Sequence, residues 1–190
     1  MMTGMQRVGR AVAGVALIAL GCSQAATAAT TANPTVTGTV AAGALSVATS
    51  AAPAFSASLA SGDSTPTYTL PLTAVDTTGT GAGWNLTITS TQFTTGGGTP
   101  HTLTTNASTI TGVTSTCASG TCTNPTNAVT YPVSVPAAAT PPTPVKFLNA
   151  AANTGLGSFT VTPTVGVFVP ATSFAGSYSS TLTVSIVSGP

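Results

Sequence analysis

The sequence predicts an all-β protein, an antiparallel Greek-key sandwich or a barrel-like sandwich, on three observations. Threonine dominates the polar residues. The 190-residue chain holds 41 Thr and 19 Ser, and β-branched Thr favours strands, where it supplies an uncharged polar face. The usual surface helix formers Lys, Glu, Arg and Gln are nearly absent, and only 3% of residues are charged. That removes the side chains that normally sustain an exposed helix face. Short apolar runs alternate with period two between Gly and Pro punctuation, and no stretch keeps a helical period over ten or more residues.

The elements follow in order. Arg7 and Arg10 precede an apolar run over residues 11–20 and the small-residue stretch Ala26-Thr27-Ala28. This reads as a secretory signal over residues 1–28, cut after Ala28. The apolar run falls short of the roughly 20 residues a membrane span needs. Leu20-Gly21-Cys22 also resembles a lipobox, and lipidation at Cys22 would anchor the chain to a membrane. Without it the mature chain has no membrane attachment. Residues 29–34 read as a flexible leader and residues 35–190 as one β domain, long enough for one core.

Val36 and Val40, Leu45 and Val47, and Phe55, Ala57 and Leu59 mark early strands. Over residues 68–75, Tyr68, Leu70, Leu72 and Ala74 share a parity, and Pro71 among them argues for an edge or bulged position. Residues 76–83 are turn chemistry throughout. Residues 83–89 form the clearest strand. Trp84, Leu86 and Ile88 face one side while Asn85, Thr87 and Thr89 face the other. That alternation favours Trp84 as a core residue between two sheets over an exposed stacking platform. Leu103, Ile110 and Val113 belong to further short strands. Val129, Tyr131, Val133 and Val135 alternate again, and residues 136–144 read as a Pro-rich loop. Phe147, Phe159, Val161 and residues 165–169 supply later strands. The last runs over residues 178–187, with Leu182, Val184 and Ile186 on one face.

The charge inventory excludes several functions. Past Arg10 the ionisable side chains other than Tyr and Cys are Asp63, Asp76, His101 and Lys146. One Lys cannot neutralise a run of phosphates, so nucleic acid is not a partner. Four such groups cannot build a metal site, and no motif calls for a cofactor. They give poor material for acid–base catalysis, so the chain is not expected to be an enzyme. Asp63 and Asp76 read as turn residues bonding nearby backbone N–H groups, and His101 reads as a surface residue. Cys117 and Cys122 flank Ala-Ser-Gly-Thr. In an exported chain this spacing predicts a disulfide across a hairpin tip rather than a redox or metal site.

Three segments carry a resemblance. Val75-Asp76, a Gly-rich turn and Gly83-Trp84-Asn85-Leu86 are followed by Phe93. Near the C-terminus come Val169-Pro170-Ala171 and then Tyr178-Ser179-Ser180-Thr181-Leu182-Thr183-Val184-Ser185-Ile186. Leu45-Ser46-Val47 with Phe55 precede both. Together these resemble the paired signatures of WxL-domain surface proteins. Val184 and Ile186 stand where that family has its second Trp and the Leu after it. The resemblance implies secretion to the bacterial cell surface and noncovalent attachment to the peptidoglycan of the cell wall. It also implies association with other exported wall proteins. It marks Trp84, Leu86, Tyr178, Leu182 and Val184 as signature residues, serving either wall binding or the core. The alternative reading is a structural subunit that self-assembles into a surface layer or fibre. Near-zero net charge removes repulsion between copies, and Thr-rich edge strands can pair.

Overall fold

The computed structural model describes residues 35–190; the expected signal peptide and leader, with Cys22, lie outside the described residues. The chain separates into two units, Met1–Thr39 and Val40–Pro190. Residues 35–39 of the first carry no regular structure.

The second unit is built from ten strands: β1 Leu45–Ala48, β2 Thr67–Thr69, β3 Leu72–Asp76, β4 Trp84–Thr91, β5 Ser108–Thr123, β6 Val133–Ser134, β7 Ala137–Ala138, β8 Val145–Ala150, β9 Leu156–Val167 and β10 Leu182–Ser188. One sheet runs β1-β3-β9-β5-β6, with β2 also on β9. The other runs β10-β4-β7, with β8 also on β4. Every pairing is antiparallel except a two-residue parallel match of β4 with β7. Among the described residues the helical content is one 3-10 turn, Leu59–Ser61. The all-β sandwich is what the Thr-rich, charge-poor composition dictates.

Strand parity places the core between the two sheets. On β4, Trp84, Leu86 and Ile88 are buried. Val184 and Ile186 of β10 lie opposite Ile88 and Leu86, half-buried against the same core. Leu72, Ala74, Phe159, Val161 and Val165 of the first sheet complete the cluster. Pro71 does not break the register. Thr69 pairs Thr164 and Leu72 pairs Val161, so β2 and β3 are one strand path interrupted at the proline. Leu70 N–H still donates to the Pro163 carbonyl at 3.1 Å. The missing donor of Pro71 falls on the opposite edge, away from β9.

Trp84 ties the second sheet to the turn that feeds β9. Its side chain is 1% exposed, and its indole Nε1 donates to the Gly155 carbonyl at 2.8 Å. Gly155 has φ +71°, and a Cβ there would lie 2.6 Å from the indole nitrogen. Gly83 has φ +75°, and a Cβ would collide with the Ala150 carbonyl. Only glycine satisfies both the backbone conformation and the close approach at these positions.

Several strand expectations need correction. Val36 and Val40 lie in no strand, and Phe55 and Leu59 sit on an irregular segment and the 3-10 turn. Their alternation is real, but Pro53 and the Ala/Ser-rich surroundings give it no ladder partner. Leu103 follows an isolated bridge between Thr94 and Thr102. The 129–135 run shrinks to β6, and β10 begins at Leu182, leaving Tyr178 in the loop before it. The expected hairpin tip at the cysteines is also absent. Cys117 and Cys122 are bonded, S–S 2.01 Å and Cα–Cα 5.8 Å, but both lie within β5. Cys117 pairs Phe159 and Thr123 pairs Leu156, so β5 carries extra residues that loop out against a shorter run of β9. The Thr- and Ser-rich flanks keep the chain extended on both sides, and the disulfide clasps a bulge rather than a reversal.

Trp84→Ala should destabilise the protein by about 3–5 kcal/mol, the cost of emptying a large core site. Trp84→Phe should cost about 1–3 kcal/mol through the orphaned Gly155 carbonyl and the smaller ring. Urea denaturation of both variants measures this order.

Candidate functional site

A groove of 930 Å³ opens at one side of the sandwich. One wall is the irregular segment around Phe55 between β1 and β2. The other is the loop from Phe174 to Ser180 that leads into β10. Its floor includes Tyr68, Phe93, Leu103, Leu182 and Val184. The walls are held from both ends. The Phe55 ring stacks on Tyr68 at 6.3 Å and meets Phe93 edge-on at 5.5 Å. Ser179 exchanges two backbone hydrogen bonds with Thr94, at 2.9 and 3.0 Å. Ser180 Oγ donates to the Thr91 carbonyl at 2.6 Å. The segment just past β4 therefore carries the second wall.

The signature residues divide between core and groove. Trp84 and Leu86 are enclosed in the core. Tyr178, Leu182 and Val184 line the groove, and so do Phe55 and Phe93. Tyr178 is half-buried, and its hydroxyl donates to the Phe174 carbonyl four residues back at 2.9 Å. Where the family pattern places a second Trp, the smaller Val184 sits on the groove floor. Cys117 and Cys122 are not among the groove's lining residues.

Sequence reasoning missed the pairing of His101 with Phe174. Their rings stack at 3.7 Å between centroids and 9° between planes. Neither residue belongs to a strand, so no periodicity pointed to either. Phe174, Tyr178 and Leu103 also line a second depression of 400 Å³ beside the groove.

Both carboxylates serve structure. Asp76 is buried and accepts from Thr78 N–H at 3.0 Å and Thr78 Oγ1 at 2.7 Å, closing the turn before Trp84. Asp63 does not close a local turn as expected; it accepts from Ala171 N–H at 2.8 Å. It thereby pins the start of the 170–178 loop to the segment just before β2. Among the described residues no three His, Cys, Asp or Glu side chains cluster as metal ligands. Burial pushes the Tyr68 hydroxyl up to about 12. It therefore stays a neutral donor at the groove floor. Desolvation also raises Tyr131, opposed by its hydrogen bond from Asn127; its hydroxyl donates to the Phe147 carbonyl at 2.7 Å.

No Asp, Glu, Lys or Arg lines the groove. What it offers is aromatic faces, aliphatic floor and Ser and Thr hydroxyls. These suit a neutral, hydroxyl- and amide-bearing ligand. A family model described as WxL domain, surface cell wall-binding, matches residues 38–190. The chain belongs to the WxL family. Its domain is thus a surface domain that binds cell wall material. No curated protein and no solved structure matches the chain. In this WxL domain the Trp of the first signature builds the sandwich, and the second signature builds a groove.

The raised Tyr68 value gives a pH dependence. The unfolded chain ionises Tyr near pH 10, while the fold keeps Tyr68 neutral to about 12. Stability from the neutral phenol is intact below pH 10 and is lost as pH rises from there through about 12. The melting temperature should fall across that window, and Tyr68→Phe should fall less. Tyr131 shifts in the same direction, so part of the fall should persist in the variant.

Proposed function

We propose that the protein is exported and attaches noncovalently to the peptidoglycan of the bacterial cell wall, without catalysis, through the groove beside β10. The observation that carries this reading is convergence. Phe55, Phe93, Tyr178, Leu182 and Val184, which come from all three signature segments, meet around one uncharged cavity. The family match supports wall material as the target. The non-catalytic part rests on the residue supply: both carboxylates are engaged in backbone hydrogen bonds that hold turns and loops. Other exported wall proteins are further candidate partners, and export follows from the N-terminal signal pattern.

A second reading has its own observation. β6 pairs β5 only at Thr109 and Ile110. Beyond them the outer edge of β5 has no strand partner among the described residues. That edge is rich in Thr and Ser and carries no charge over residues 111–123, so nothing repels a second copy. It favours strand-to-strand assembly into a layer or fibre.

One experiment separates them. The mature protein is mixed with purified peptidoglycan and centrifuged, with light scattering run on the protein alone. Wall binding predicts a monomer that pellets with peptidoglycan. Ala57→Trp, at an exposed position on the groove wall, should weaken pelleting at unchanged melting temperature. Concentration-dependent particles without peptidoglycan, and no pelleting of the monomer, would favour assembly instead.

A further inference from the structure

Phe174 is an unusual surface residue. It is 61% exposed, yet its ring and backbone are both fixed. One ring face is covered by His101, and its carbonyl accepts the Tyr178 hydroxyl. His101 is fixed in turn. Its backbone N–H donates to Thr95 Oγ1 at 3.0 Å, and its backbone carbonyl accepts from Thr95 N–H at 3.0 Å, which holds the chain that presents the imidazole. A mobile exposed Phe would bind little, because ordering it on contact costs free energy. The His101 stack restrains this ring before any ligand arrives and leaves the residue largely exposed.

Its position matters as much as its rigidity. Phe174 and Tyr178 form a ridge shared by the 930 Å³ groove and the 400 Å³ depression. Thr102, Thr104, Thr172 and Ser173, all hydroxyl-bearing, are among the residues that line the smaller one. Neither depression is lined by Asp, Glu, Lys or Arg. A stem peptide brings free carboxylates and amines, and an anionic wall polymer brings phosphates. Such charges would meet no Lys, Arg, Asp or Glu of opposite sign here, and His101 is the one lining side chain besides Tyr that can ionise. A hexosamine chain brings an apolar CH face to each sugar, neutral hydroxyls and N-acetyl amides. Those match an aromatic platform ringed by hydroxyls.

We propose that the His101-backed Phe174 ring is a sugar-stacking platform, and that the wall component it takes is the neutral glycan strand, laid across the ridge with sugars in both depressions. This rests on the wall-binding reading and narrows its ligand class. His101 is a positioning residue, acting through the ring it supports.

The test titrates chitohexaose, an uncharged N-acetylhexosamine chain, into the mature protein by calorimetry, beside pelleting with intact peptidoglycan. Phe174→Ala and Phe174→Trp are compared with the unmodified chain, each with a melting curve. We expect glycan binding that weakens at least about fivefold in Phe174→Ala and persists in Phe174→Trp. Melting temperatures should stay unchanged, since the ring is largely exposed. Equal glycan affinity in Phe174→Ala would overturn the platform. Pelleting with intact peptidoglycan but no binding of chitohexaose would overturn the glycan assignment and leave wall binding standing. No pelleting with peptidoglycan would overturn the wall reading and this inference with it.

Discussion

An indole N–H sealed between two sheets must find an acceptor, because leaving it unpaired costs more than a surface hydrogen bond is worth. Trp84 finds the Gly155 carbonyl, and much of the architecture follows from that contact. It fixes the turn between β8 and β9, where an Ala side chain would strike the indole. β9 then pairs with β2, β3 and β5, so the turn that Trp84 holds sets the start of the central strand of the larger sheet. On the other side, β4 carries both β8 and β10. One residue thus sits where the two sheets are referenced to each other.

A sequence signature can thus be strong while half of it, Trp84 and Leu86, is enclosed in the core. The Gly-Trp-x-Leu segment is a folding device: glycine for a positive φ and a close approach, Trp for volume and one hydrogen bond, Leu for the next core layer. Beyond β4 the chain reaches Phe93, and the Thr94–Ser179 bridge carries the Tyr178 loop against it. The groove is a consequence of where β4 ends. Its chemistry is equally constrained. A chain with 3% charged residues gives up electrostatic steering and charge-assisted hydrogen bonds. In the proposed reading, that leaves recognition to stacking, shape and hydroxyls.

Much of the fold was legible because burial follows strand parity. Trp84, Leu86 and Ile88, and Tyr68, Leu70, Leu72 and Ala74, are buried as their alternation indicates. What alternation could not reveal is whether a run has a partner to pair with. Phe55 and Leu59 have the pattern but no ladder, and they became a groove wall. The cysteine spacing was right for a bond and wrong for its setting. A disulfide of short span is compatible with a hairpin tip or a bulge, and the flanking Thr and Ser residues decide it. The Phe174–His101 stack was illegible for a simpler reason. Two loop residues separated by most of the chain's second half carry no local signal of proximity.

The central claim is that Trp84 belongs to the fold and that binding happens elsewhere. It is the single Trp in the chain, so intrinsic fluorescence reports on that residue alone. The direct measurement is the emission spectrum and acrylamide quenching of the native protein, with and without saturating soluble glycan fragments. A buried indole should give blue-shifted emission, weak quenching and no change when the fragments bind. Red-shifted, readily quenched emission that the fragments protect would place Trp84 in the binding surface and contradict the division between core and groove.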